Sequence, residues 1–272
     1  MNLHHDIPYA PPPLHPLRCF DLYLPSSGTL DGKDPISPAQ PGPSDSDYVV
    51  RELQTVICFI HGGAWRAEDK SLHHSLALSL LSSSHLPVLV PNYRLSPAIT
   101  HPTHALDVLD FLEFIIAKYK CKNVYLVGHS CAAHMLSTIF LDAPELPTVS
   151  SAVLAATKAV VLSEGIYDIP LLLRSFPDYL DWFIADAFPT SPYPSVNTLP
   201  PRSGAAHIRW LILHSEADTL VDQVQSEAMV QHLSKHFPSV QHDFHTLTVE
   251  HDKLLSTPEY IQLVSSFLLS KS

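Results

Sequence analysis

Four short segments carry side chains that together could attack a carbonyl. The first is Val127-Gly128-His129-Ser130-Cys131-Ala132-Ala133, set between an apolar run and a helix-like one. A serine at a sharp strand-to-helix turn is forced into an unfavourable backbone conformation and presented to solvent, and small residues must flank it so that strand and helix can approach. Ala132 stands where a second glycine is usual and adds one methyl. The helix start would offer the Cys131 N–H to a developing anion. The second segment, His61-Gly62-Gly63-Ala64-Trp65, follows an apolar run directly. A glycine pair there can turn N–H groups toward a nucleophile, so Gly62, Gly63 and Cys131 are the candidate oxyanion donors. The chain has only 8 glycines, and three of them (Gly62, Gly63, Gly128) fall in these two loops. A glycine-poor chain that concentrates them so needs unusual backbone there.

The third segment runs from Trp210 through Leu213 into His214-Ser215-Glu216-Ala217-Asp218, and the fourth is Val249-Glu250-His251-Asp252. An aspartate just past a strand end can accept the N–H of an imidazole, and that imidazole can then take the proton of a serine. Asp222 competes with Asp218 for the first role but is better placed to cap the helix that follows. His242 and His245 compete with His251 but fall within a strand-like run. His129, beside the serine, is expected to pack or line the site. The order Ser130, Asp218, His251 is nucleophile, acid, base.

These segments need elements to hold them. Leu17–Leu24 alternates and predicts a half-exposed strand. Thr55–Ile60, Leu86–Val90, Val124–Val127, Ala159–Leu162 and Trp210–Leu213 are short apolar runs of the kind buried in a parallel sheet. A further strand is expected near Asp243–Leu247. Helical spacing marks Leu72–Leu81, Ala105–Tyr119, Cys131–Leu141, Gln223–His236 and Pro258–Leu269. Strands alternating with helices predict an α/β fold with a mostly parallel central sheet covered by helices on both faces, in one domain over residues 1–272. Pro25–Asp47, rich in Pro, Gly, Ser and Asp, is expected to be a surface loop, and residues 170–202 a cap over the site.

Composition narrows the function. At 272 residues and 46% hydrophobic, the chain can bury a large core. A net charge of −11 argues against nucleic acid as a partner. No apolar run reaches the ~20 residues of a membrane span. Met1–Pro13 lacks the pattern of a secretory signal. The four cysteines are far apart and are expected to be free thiols in a cytosolic protein. Among 18 histidines there is an HxxH at His101 and His104, and adjacent pairs at His4-His5 and His73-His74, but no carboxylate or thiol at ligand spacing. No metal or other cofactor is expected.

HGGAW at 61–65, YRLSP at 93–97, GHSCAAH at 128–134 and the Asp218 and His251 segments resemble the kynurenine formamidase branch of the α/β hydrolases, especially its fungal members, from about Thr55 onward. The resemblance implies hydrolysis of N-formyl-L-kynurenine to L-kynurenine and formate, a step of tryptophan degradation and NAD synthesis. It implies Ser130, Asp218 and His251 as triad, Gly62, Gly63 and Trp65 within the oxyanion motif, and a cytosolic homodimer acting on a small molecule. Trp65, His129 and Tyr93 are expected to line the substrate pocket. Two other functions stay open: a small-acyl carboxylesterase of the hormone-sensitive-lipase-like type, which shares the YRL-[SA]-P element, and a non-catalytic binding protein on the same scaffold.

Overall fold

The computed structural model describes residues 2–25 and 53–270. Eight strands form one sheet: β1 (Asn2–Pro8), β2 (Cys19–Leu24), β3 (Thr55–Ile60), β4 (Val88–Pro91), β5 (Asn123–His129), β6 (Thr157–Ser163), β7 (Arg209–Leu213) and β8 (Val240–Asp243). Their spatial order is β1-β2-β4-β3-β5-β6-β7-β8. β1 pairs antiparallel with β2, and β2 with β4; every pairing from β4 through β8 is parallel. This is the mostly parallel α/β sheet that the alternation of runs predicted.

Helices α1 (His74–Ser84), α2 (Thr103–Tyr119), α3 (Cys131–Phe140), α4 (Ser151–Ala156), α5 (Ile169–Ser175), the single turn α6 (Ala185–Ala187), α7 (Gln223–Leu233) and α8 (Pro258–Leu269) connect and cover the strands. Successive strand residues point to opposite faces, and β3 shows the consequence. Val56, Cys58 and Ile60 join one apolar cluster, with Phe111 of α2, Leu136 of α3 and Met229 of α7. Ile57 and Phe59 join the other, with Leu80 of α1 and Tyr260 and Val264 of α8. Both faces of the strand are therefore dry, which is why its sequence is continuously apolar rather than alternating. Each fully buried Leu, Ile, Val or Phe side chain contributes about 1.5–3 kcal/mol of transfer free energy to this packing.

Three expectations need correction. β2 is buried along its whole length rather than half exposed, because both its faces are covered: Phe20, Leu22 and Leu24 join one apolar cluster, Tyr23 joins the other, and Asp21 pairs with Lys70 at 2.7 Å. β1 itself was not foreseen. The strand expected near Asp243–Leu247 lies earlier, at Val240–Asp243, so His242 is in it and His245 is not. The Pro- and Ser-rich insertion lies, beyond Pro25, outside the described residues. Within 170–202, α5 and a π-helical turn at Leu180–Ile184 lead into α6. No helix among the described residues is long and apolar enough to cross a membrane.

Candidate active site

The chemistry-bearing loops all leave the carboxyl ends of parallel strands, where sheets of this kind bind ligands. After β5 the chain turns through Ser130 at φ 55° and enters α3 at Cys131. A left-handed serine is strained, and backbone bonds hold it. Its N–H donates to the Ser163 carbonyl at 2.9 Å, and its own carbonyl accepts from Ala133 at 3.0 Å. The strand and helix approach so closely that a Cβ on Gly128 would lie 2.8 Å from Leu136 Cδ1 and 3.3 Å from the Ala132 carbonyl carbon. The elbow thus needs glycine before the serine and accepts alanine after it.

The loop after β3 lies against this elbow: a Cβ on Gly62 would meet Ser130 Cβ at 3.1 Å. Its backbone is strained over several residues, with positive φ at Gly63 (89°), Ala64 (52°), Trp65 (58°) and Glu68 (72°). A Cβ on Gly63 would sit 2.2 Å from the Ala67 carbonyl oxygen, so only glycine fits. The Tyr93 hydroxyl donates to the Gly62 carbonyl at 2.6 Å, with the His61 carbonyl at 3.1 Å. A planar trans peptide points its N–H opposite to its C=O. Pinning the Gly62 carbonyl on Tyr93 therefore turns the Gly63 N–H the other way. Tyr93 is in turn fixed by its neighbour Arg94, whose guanidinium bonds the buried Asp107 of α2 at 2.8 and 2.6 Å. The Trp65 N–H donates to Cys131 Sγ at 3.3 Å, tying this loop to the start of α3.

Asp218 and His251 come together from the loops after β7 and β8. His251 Nδ1 lies 2.7 Å from Asp218 Oδ2. The other carboxylate oxygen accepts the N–H groups of Leu220 at 2.8 Å and Val221 at 3.0 Å. Burial pushes the Asp218 carboxyl up, but the bonds from His251, Val221 and Leu220 outweigh it and hold it below its ordinary value of 3.8. With Nδ1 donating to Asp218, the free lone pair of the ring is on Nε2. The His251 ring also packs on His129, the residue before Ser130, with centroids 4.6 Å apart. Asp222 occupies the N-cap of α7, yet its side chain makes no capping bond; it accepts from the Ser175 hydroxyl instead. His242 and His245 do not join the cluster, and His245 pairs with Glu216 at 2.9 Å.

The three residues expected to line a pocket are placed differently. Trp65, Tyr93 and His129 are all buried to within 1%. Trp65 is enclosed by His134, Phe183 and Phe188 at ring separations of 5.5, 6.1 and 5.0 Å. Tyr93 serves the loop carbonyls, and His129 is held by Glu164 at 3.2 Å. All three shape the loops rather than present a surface. The segment after α5 runs between the two sides of the site: the Arg66 guanidinium donates to the Trp182 carbonyl, and the Tyr179 hydroxyl to the Leu220 carbonyl at 3.0 Å. Trp182 itself is half exposed, at 54%.

Sequence reasoning missed Glu164. It follows β6, is fully buried, and stands 3.4 Å from His251 Nδ1. The available signal was a charged residue one serine past a run of apolar ones, with a glycine next. The HxxH histidines part company, His101 to Glu145 and His104 to Ser96, each at 3.0 Å. Two other groups, His61 with Glu68 and His73, and His129 with Glu164 and His251, bring possible metal-ligating atoms within 4.8 Å of one another. In the first, Glu68 already binds the His73 ring at 2.9 Å, and burial beside His73 lowers the His61 imidazole to about 4. The four cysteines are free and buried.

Comparison with known proteins agrees with this architecture. A family model of the alpha/beta hydrolase fold matches residues 57–246. Kynurenine formamidase of Meyerozyma guilliermondii is 34% identical over 193 residues, covering 68% of this chain and 74% of that one. The Eremothecium gossypii enzyme of the same name is 27% identical over 208 residues, covering 70% and 86%. Among solved structures, esterase B of Lactobacillus rhamnosis superposes with a TM-score of 0.72 at 15% identity, covering 98% of this chain and 84% of that one. A carbohydrate esterase from gut microbiota gives 0.71 at 17% identity, covering 98% and 95%. A strained serine between two amide-bearing loops, with a paired aspartate and histidine at the same sheet rim, thus occurs in a chain that belongs to the kynurenine formamidase family of α/β hydrolases.

Proposed function

We propose that this protein is a serine hydrolase that cleaves N-formyl-L-kynurenine to L-kynurenine and formate. The observation that carries the reading is the 2.7 Å bond between His251 Nδ1 and Asp218 Oδ2, beside a strained Ser130, in a chain 34% identical to a kynurenine formamidase.

His251 Nε2 takes the Ser130 proton as Oγ bonds to the formyl carbon. The carbonyl oxygen becomes an anion, and the N–H groups of Gly63 (or Gly62) and Cys131 receive it. Asp218 keeps the proton on Nδ1 and stabilises the imidazolium. The C–N bond then breaks, and the imidazolium returns its proton to the departing aryl amine. Water, deprotonated by the same nitrogen, hydrolyses the formyl-serine to formate and restores Ser130. Formyl is the smallest acyl group. The solid packing of Trp65, Phe183 and Phe188 behind the oxyanion loop suits a site with little room on the acyl side. Free, buried thiols suit a cytosolic enzyme, and family resemblance supports a homodimer.

The direct test is turnover of N-formylkynurenine against short p-nitrophenyl esters. A formamide preference in kcat/KM is expected. Esters ahead by orders of magnitude would reassign the substrate to the esterase class, and failure of a fluorophosphonate probe to label the folded protein would favour a binding scaffold.

A further inference from the structure

Asp218 is not alone in offering a carboxyl to His251. β6 ends at Ser163, and the next residue, Glu164, turns back with φ 49°, a left-handed conformation costly for a glutamate. Its N–H donates to the Leu213 carbonyl at 2.8 Å, which fixes the turn between the ends of β6 and β7. The side chain is fully buried. Oε2 lies 3.2 Å from His129 Nε2 and 3.4 Å from His251 Nδ1, and Oε1 has no partner.

One ring nitrogen of His251, carrying one proton, therefore faces two carboxyls. Two buried carboxylates sharing a site do not both ionise. Asp218 has the 2.7 Å contact and two backbone donors, so it holds the charge. Burial, and then the Asp218 charge, push the Glu164 carboxyl up to about 9, against the opposing effect of the Ser215 backbone N–H. The ionisable groups facing Glu164 are His129 at the end of β5, Asp218 after β7, and His251 and Asp252 after β8.

We propose that Glu164 is a positioning residue for His251, a reserve acid that holds the His129 and His251 rings together and takes over the Nδ1 proton contact when Asp218 loses its charge. The proposal rests on the triad reading above. With Asp218 changed to asparagine, the charge that keeps Glu164 protonated is gone. Glu164 then releases its proton to solvent more readily, and the resulting carboxylate is the acceptor that keeps the His251 lone pair on Nε2.

The experiment is a kinetic cycle over pH 6–9 with N-formylkynurenine, using Asp218→Asn, Glu164→Gln and the double variant. Loss of the triad acid with nothing in reserve costs roughly 10⁴-fold in kcat. With Glu164 in reserve, Asp218→Asn should lose only about 10²-fold and should regain rate as pH rises, the double variant should fall to the full ~10⁴-fold loss, and the alkaline recovery should vanish. Glu164→Gln alone, isosteric with the protonated acid, should lower kcat about threefold without changing KM. Equal rates and flat alkaline profiles for Asp218→Asn and the double variant would overturn the proposal. Should the double variant not fold, a flat alkaline profile for Asp218→Asn alone would do the same. Undiminished activity in Ser130→Ala, by contrast, would overturn the triad reading itself.

Discussion

Strain at the elbow after β5 is confined to Ser130, whose N–H and carbonyl are both engaged by backbone partners. In the loop after β3, four of the six residues from Gly63 to Glu68 have positive φ. That loop has backbone bonds of its own, from the Arg66 and Ala67 N–H groups to the Gly63 carbonyl at 3.0 and 2.9 Å and from the Ser96 N–H to the Trp65 carbonyl at 2.8 Å, but side chains add ties that the elbow lacks: the Tyr93 hydroxyl, Cys131 Sγ, and the Glu68–His73 bond. Strain is stable only where the surroundings over-determine it. The elbow obtains this from the ladder of the sheet itself. The β3 loop obtains it in part from a few side-chain polar atoms, any one of which a point mutation can remove. The first should resist changes in side-chain chemistry and react to volume; the second should react to both.

The largest expected effect separates chemistry from scaffold. Ser130→Ala should lower kcat by roughly 10³-fold or more while leaving the melting temperature nearly unchanged, because backbone bonds hold the elbow. A large drop in melting temperature would show that the elbow depends on the hydroxyl. Next comes a matched pair of glycines. Gly63→Ala places a methyl 2.2 Å from a backbone oxygen at φ 89°, so the loop must move. The loss of an aligned donor predicts about 10²–10³-fold in kcat. Gly128→Ala meets Leu136 Cδ1 at 2.8 Å, the end of a flexible side chain, and should cost about 1–3 kcal/mol of stability with a far smaller loss of rate. Steady-state kinetics and denaturant melts on both variants would check the ranking; equal losses would erase the distinction between the loops.

Tyr93→Phe asks whether one hydroxyl holds the β3 loop. It leaves the Gly62 and His61 carbonyls short of a donor, a cost of about 1–3 kcal/mol. A loss in kcat of about tenfold, with KM little changed, is expected.

The last effect is on stability alone and concerns Glu164, on the β6 side of the elbow. Its folded carboxyl keeps a proton up to about pH 9, whereas the unfolded chain releases it near 4.5. Folding therefore takes up a proton between these values, and this residue's contribution to stability declines as pH rises through that window, by at most about 1.4 kcal/mol per pH unit. Glu164→Gln should gain on the parent protein between pH 5 and pH 8 in chemical denaturation. A constant difference would mean that Glu164 is ionised when folded.

Much of this was legible because the parallel strands are dry on both faces, so β3, β5, β6 and β7 stand out as apolar runs and the loops after them mark the site. The outer strands were harder. β1 contains His4, His5 and Asp6 and is largely solvated, so no alternation advertises it. β8 is polar at Gln241 and His242, and the nearby Phe244 and Leu247, buried without being strand, drew the expectation three residues too far. At the site, Ser130 and Asp218 could be read because each follows a recognisable strand, and His251 because it comes after them in the order nucleophile, acid, base. Asp222 shows the limit of local rules: its position is that of a cap, but a tertiary hydroxyl from Ser175 takes its side chain. The placement of Glu164, and the turn of Tyr93 toward the loop carbonyls, depend on pairings between distant strands that no window of sequence contains.

One consequence concerns the residue after Ser130. Cys131 is fully enclosed, its sulfur accepts the Trp65 N–H, and burial raises its thiol to about 12. Alkylating agents and peroxides act on accessible thiolates, so they should pass this sulfur by although it adjoins the proposed nucleophile. Inactivation by iodoacetamide or N-ethylmaleimide would then report unfolding rather than occupancy of the centre, and the protein should keep its activity through swings in cellular redox state.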